Sequence, residues 1–205
     1  MKIEIDLKII LLLILFVLTA QIKLYSIFIL FIILHELAHI LMGYILGMKI
    51  TNFRINILGV SAEMYNYNSR KSYIKIITYF AGPIFNLLCA ISFYCLNLNE
   101  QLKIDLVYTN IILFLFNLLP ILPLDGGKIL KEILRKIWGN KQANVIMICI
   151  SKILLVISSF VYSIIILKIK NLAILFLIIY MWYLYSIEAR KVNTLKRMYE
   201  IIEKS

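Results

Sequence analysis

The stretch "FIILHELAHILMGYILG", Phe31 to Gly47, decides how the chain is read. Its flanks are apolar enough for a membrane span. Its middle, His35-Glu36-Leu37-Ala38-His39, sets two imidazoles and a carboxylate where lipid would otherwise be. An ionisable side chain at membrane depth costs about 2.5–3.5 kcal/mol on insertion scales, so such residues usually serve a function. A helix carries residues i and i+4 on one face, so His35 and His39 can hold one metal ion together. Glu36, one step round the helix, can reach a water on that metal. This is the H-E-x-x-H arrangement of two zinc ligands and a general base. The alternative is a helix that turns two polar side chains into a bundle interior. His35 and His39 are the only histidines in the chain.

The remainder of the 205 residues extends the membrane reading outward. The chain is 62% hydrophobic, with a mean hydropathy of +0.92. A soluble domain of this size has no interior for so many apolar side chains. Six apolar runs near bilayer length lie at about 5–21, 25–46, 73–96, 104–119, 144–167 and 172–187. The fold class expected is an all-α integral membrane protein with about six transmembrane helices. The first run has the length of a signal-peptide core, but no A-x-A-like cleavage site follows it, so it reads as a retained span. The three cysteines, Cys89, Cys95 and Cys149, form no C-x-x-C pair and suit apolar packing rather than a disulfide or zinc framework.

Between the second and third runs, "KITNFRINILGVSAEMYNYN" (Lys49 to Asn68) alternates in places and is rich in β-branched and aromatic residues. It predicts a short β-hairpin-like segment, with Gly59 at a turn or bulge. An ordinary interfacial loop is the competing reading. The end of the chain, from Glu188, is charged and helical in pattern. The expected organisation is a polytopic membrane domain over 1–187 and a short basic cytosolic tail over 188–205.

The net charge of +11 needs no nucleic acid, because basic residues beside spans set topology and meet anionic headgroups. No segment interleaves basic and aromatic residues as a nucleic-acid platform does. Lys2, Lys8, the basic residues from Lys49 to Lys75, those from Lys128 to Lys141, and those from Arg190 onward fall on one side of a six-span plan. Only Lys23, Lys103, Lys168 and Lys170 fall on the other, and Lys152 lies inside the fifth span. The positive-inside rule then places both termini in the cytosol, with the His-Glu cluster inside the bilayer toward its cytosolic end.

A catalytic zinc site takes three protein ligands and keeps one position open. Among the acids, Asp125 stands apart, in "NLLPILPLDGGK" (Asn117 to Lys128) after the fourth span. Pro120 and Pro123 break the helix there, and Gly126 and Gly127 permit backbone that other residues resist. Irregular backbone at membrane depth is tolerated where it is buried or lines a cavity. On its own the stretch also reads as a plain interfacial loop.

Three motifs in order now carry a resemblance: "HELAH" in an early span, "AGPIFNL" (Ala81 to Leu87) in a middle one, and "NLLPILPLDGG" after a later one. The chain resembles the site-2 protease family of intramembrane zinc metalloproteases over nearly its whole length. The resemblance implies one Zn2+ per chain, bound by His35, His39 and Asp125, with Glu36 as the catalytic acid and base. It implies that Asn117 orients substrate or an oxyanion, and that Gly82, Pro83 and Asn86 serve close helix packing. Ala38 stands where relatives commonly have glycine. No PDZ domain is legible, and the compact plan looks most like the stage IV sporulation protease branch, although a short basic tail stands where that branch often carries a CBS domain.

The expected function is therefore cleavage of a membrane-associated protein precursor by metal-activated water. The resemblance implies a sporulation pro-sigma factor as substrate, with membrane regulatory proteins as further partners. It also implies residence in the cell membrane or the membrane around the forespore. A membrane-anchored anti-sigma factor is the alternative substrate. A non-proteolytic metal-binding membrane protein or transporter is the alternative function.

Overall fold

A backbone in lipid must satisfy its own N–H and C=O groups, and helices do this within a single segment. Helices accordingly make up most of the structure. The computed structural model describes residues 3–5, 22–56, 59–65, 70–169 and 172–202. In order these form β1 (Ile3–Ile5), α1 (Ile22–Ile45), β2 (Lys49–Asn56), β3 (Gly59–Tyr65), α2 (Ser72–Cys95), α3 (Glu100–Asn117), α4 (Asp125–Ile169) and α5 (Leu172–Ile202). Chain contacts divide them into two units, one ending at Asn117 and one beginning at Leu118.

Three described helical stretches are long and apolar enough to cross a membrane: Lys23–Ile45, Ser72–Cys95 and Asp125–Ser163. They contain or overlap the second, third and fifth expected spans. The fourth, 104–119, corresponds to α3, which opens with Glu100, Gln101, Lys103 and Asp105 and so carries too many charges for a fully apolar window. The sixth, 172–187, lies within α5, which runs on without a break past Ile187. Residues 6–21, most of the first expected span, lie outside the described residues.

In the first unit, α1 packs against α2 and α3, and α2 packs against α3. The burial pattern is the reverse of a soluble bundle. Leu30, Ile33, Leu37, Leu41 and Tyr44 of α1 are exposed, as are Ile84, Leu88 and Ile91 of α2. His35, His39, Lys75, Thr78, Asn86, Thr109 and Asn110 are buried. Such a molecule offers its apolar side chains to hydrocarbon and keeps its polar ones for the interior. Lys75, counted from sequence with the basic residues on one side of the spans, lies inside α2 and is 1% exposed. Phe31 and Phe93 meet edge to face at 5.6 Å and join α1 to α2 one helical turn before His35.

After α1 the chain turns through Gly47, whose φ of 74° suits a residue without Cβ. Arg70 donates to the Gly47 carbonyl. β2 and β3 then pair antiparallel, from Lys49 opposite Tyr65 to Asn56 opposite Gly59, with a register shift between Ile50 and Asn52. β1 adds to β2 in parallel, Ile3 opposite Phe53, so the strand order is β1-β2-β3. Sequence reading began a span at Ile5. The structure instead commits Ile3–Ile5 to the sheet, because β2 offers an edge for those backbone groups to pair with.

In the second unit, the segment from Leu118 to Leu124 turns tightly, with Ile121 N–H donating to Leu119 and Leu124 N–H to Ile121, each at 2.8 Å. The Leu122–Pro123 peptide is cis. Leu122 N–H donates to the Ser151 hydroxyl at 3.0 Å, and the Leu122 side chain joins Leu134, Ala143 and Met147 in a buried cluster. α4 is interrupted at Gly139 (φ 79°, ψ 172°), where the sequence suggested a loop. A Cβ at Gly127 would stand 2.5 Å from the Ile121 carbonyl carbon, and one at Gly126 would overlap the Leu118 carbonyl. These are backbone obstacles that cannot swing aside. Gly127→Ala should therefore destabilise the protein by about 1–3 kcal/mol, read as a lower unfolding midpoint in detergent.

Candidate metal centre

The pair at its centre comes from α1. His35 and His39 are one helical turn apart, 3% and 9% exposed, with their rings edge to face and centroids 4.8 Å apart. α2 supplies what the rings need. His39 Nδ1–H donates to the Thr78 carbonyl at 2.7 Å, and His35 Nδ1–H donates to Asn86 Oδ1 at 3.3 Å. A carbonyl only accepts, so each Nδ1 carries the proton and each neutral ring keeps its lone pair on Nε2. Those two Nε2 atoms lie 3.2 Å from each other.

Two lone pairs at that distance repel unless a cation lies between them, either a proton or a metal. The spacing suits the metal: two nitrogens each ~2.0–2.1 Å from one tetrahedral zinc stand about 3.3–3.4 Å apart. The outer contacts suit it as well. Metal-binding imidazoles usually donate their second N–H to a carbonyl or carboxylate, which sets the tautomer and the ring's orientation.

Gly82 lets the helices come this close. A Cβ there would stand 2.5 Å from His39 Nε2 and 2.6 Å from His35 Nε2. Thr78, Gly82 and Asn86 recur every four residues, so one face of α2 presents a carbonyl, a gap and an amide to the two rings. The Thr78 hydroxyl is satisfied separately, donating to Ile74 at 2.9 Å. Pro83, buried beside Gly82, costs α2 one backbone hydrogen bond.

The other residues singled out from sequence occupy distinct places. Glu36 is half-buried on α1, about 100° round the helix from His35. Asn117 ends α3, and its amide N–H donates back to Leu113 at 3.1 Å. Asp125 opens α4, where the helix dipole favours a carboxylate. Its side chain is 5% exposed and forms an ion pair with Lys128 at 3.1 Å. Pro120 and Pro123 shape the preceding turn, and Gly126 and Gly127 fill its tight places. Sequence reading missed Thr78, because a backbone carbonyl leaves no side-chain signature. It took Asn86 for packing, although a lone amide in an apolar span was a signal of hydrogen bonding.

The sequence profile of Peptidase family M50 matches residues 23–103 and 100–161. A candidate zinc metalloprotease of Synechocystis is 28% identical over 122 residues, 56% of this chain and 32% of that relative. A zinc metalloprotease of Methanocaldococcus jannaschii is 31% identical over 136 residues, 62% of this chain and 38% of that relative. The matches thus span about a third of these relatives' length. The solved structure of a site-2 protease from Methanocaldococcus jannaschii superposes with a TM-score of 0.65 at 24% identity, covering 91% of this chain and 89% of that one. The chain therefore shares the site-2 protease fold.

Gly82→Ala should push both imidazoles off their present positions. Zinc affinity, measured by competition with a chelator, is expected to fall at least ~10-fold while the helical circular dichroism persists.

Proposed function

The chain belongs to Peptidase family M50, and on that premise we propose that it is an intramembrane zinc metalloprotease. The observation that carries the reading is the pair of buried Nε2 atoms 3.2 Å apart, each ring held by a carbonyl behind it. We propose Asp125 as the third protein ligand, as the resemblance implies. It is a buried acid in a turn braced by Pro120, Pro123 and the Ser151 contact. Zinc held by such a set would supply Lewis acidity and make a bound water acidic enough to react near neutral pH. Glu36 would be the residue that accepts the water's proton and delivers it to the leaving amine.

Substrate has to reach this site as an extended strand, because a helix shields its own peptide bonds. An extended strand in a membrane needs hydrogen-bond partners. β3 is an edge of the described sheet and packs on α1, the helix that carries His35 and His39. Strand addition to that edge would hold the substrate backbone. The substrate proposed is a membrane-associated transcription-factor precursor, most specifically a sporulation pro-sigma factor. It rests on the likeness to the compact sporulation branch, with an anti-sigma factor as the alternative. The distribution of basic residues supports a cytosolic side for both ends of the chain, so reporter fusions at the tail should read cytosolic and fusions near Asn99 should read outside.

The deciding experiment compares Glu36→Gln and Asp125→Asn in purified protein. Glu36→Gln should keep its zinc and lose cleavage by about 10²–10⁴-fold. Asp125→Asn should lose zinc and cleavage together. Wild-type turnover by zinc-loaded Glu36→Gln would remove the role given to Glu36, and a zinc-loaded wild-type chain that hydrolyses no peptide would replace the protease reading with a metal-binding or transport role.

A further inference from the structure

Two buried amides in the first unit each keep one atom without a partner. Asn86, in α2, uses Oδ1 to accept from His35 Nδ1–H, and its Nδ2 is unpartnered. Asn110, in α3, uses Nδ2 to donate to its own helix at Leu106, and its Oδ1 is unpartnered. Both side chains are 0% exposed. The leftover atoms are complementary, one a donor and the other an acceptor.

Their depths also match. α2 ends at Cys95 and α3 begins at Glu100, and the two helices pack against each other across this short connection. Asn86 lies nine residues before the end of α2 and Asn110 ten residues after the start of α3. At 1.5 Å of rise per residue these levels agree within about one residue. Buried amide atoms in native proteins are nearly always paired, directly or through an ordered water.

We propose that Asn110 and Asn86 form a relay that positions His35 for metal binding, with Asn86 Nδ2 donating to Asn110 Oδ1 through one water. The relay explains which way the Asn86 amide points. Asn110 has already spent an N–H on Leu106, so it turns an acceptor toward α2. Asn86 must answer with its donor, which leaves Oδ1 for His35. Were Asn86 reversed, its Nδ2 would face His35 Nδ1, and that nitrogen would have to give up its proton to accept. The proton would then move to Nε2 and occupy the lone pair the metal needs. Asn110 thus acts on the metal centre across two helices without touching it. This inference rests on the metal-centre reading above and adds two positioning residues to it.

Zinc affinity of the detergent-solubilised full chain, measured against a competing chelator, tests the relay. Asn86→Leu should bind about 10–100-fold more weakly than wild type, the usual loss when an outer partner of a metal-bound imidazole is removed. Asn86→Asp, which keeps an acceptor for His35, should stay within about threefold of wild type. Asn110→Leu should weaken binding by about threefold or more, and combining it with Asn86→Leu should add nothing, because the two act as one unit. A role confined to packing would lower the unfolding temperature while leaving zinc affinity unchanged. Wild-type affinity in Asn86→Leu, or losses that multiply in the double variant, would overturn the relay alone. A wild-type chain that takes up no zinc would remove the metal centre and the relay together.

Discussion

Two imidazole nitrogens 3.2 Å apart, with both opposite Nδ1 atoms facing carbonyl oxygens, suit a cation between them. The architecture of the first unit follows from holding that arrangement in a hydrocarbon setting. The rings are buried, and α2 supplies the hydrogen-bond acceptors for their Nδ1–H groups. α2 can do so only if its axis comes close, and Gly82 is where it does. A larger residue would move the carbonyl of Thr78 and the amide of Asn86 away together. The small residue and the two acceptors on one helical face are therefore a single device for presenting two Nε2 atoms.

The polar interior reaches further than the histidines. Thr109 and Asn110 on α3 are as buried as the groups on α2, while large apolar residues of α1, α2 and α3 point outward. In water such a pattern would be ruinous. In lipid it is the low-energy choice, because polar groups gain most by meeting one another and apolar ones lose nothing at the surface. The buried amides and hydroxyls also lend helix packing a specificity that uniform leucine surfaces lack.

The Asp125 segment uses a different device. Its backbone is irregular, and irregular backbone in a membrane protein must be satisfied locally. Leu119 and Ile121 supply carbonyls to the turn, Ser151 takes the Leu122 N–H, and the Leu122 side chain is locked among Leu134, Ala143 and Met147. Gly126 and Gly127 then allow α4 to begin against that turn, with Asp125 in its first turn facing a favourable dipole. A carboxylate mounted this way has little freedom, which is what a ligand or catalytic group requires.

Sequence alone determined the elements whose signals are local. Three of the six apolar runs announced helices long and apolar enough to cross a membrane, and H-E-x-x-H put two imidazoles on one helix face at any packing. The alternation after Lys49 carried strand character, and the prolines and glycines around Asp125 announced irregular backbone. Tertiary structure decided everything that depends on a neighbour. The pairing of Ile3–Ile5 with β2 joins segments some fifty residues apart, and no period in either one encodes its partner. Lys75 groups with the flanking cations because charge is a surface signal on average, yet α2 takes it inside. Asn86 read as packing because a hydrogen bond to a ring on another helix is visible only when the helices meet. Thr78 acts through its carbonyl, which every residue possesses, so its selection lies wholly in where the chain places it. Periodicity and motif spacing fix what one segment can present; only packing chooses which atom receives it.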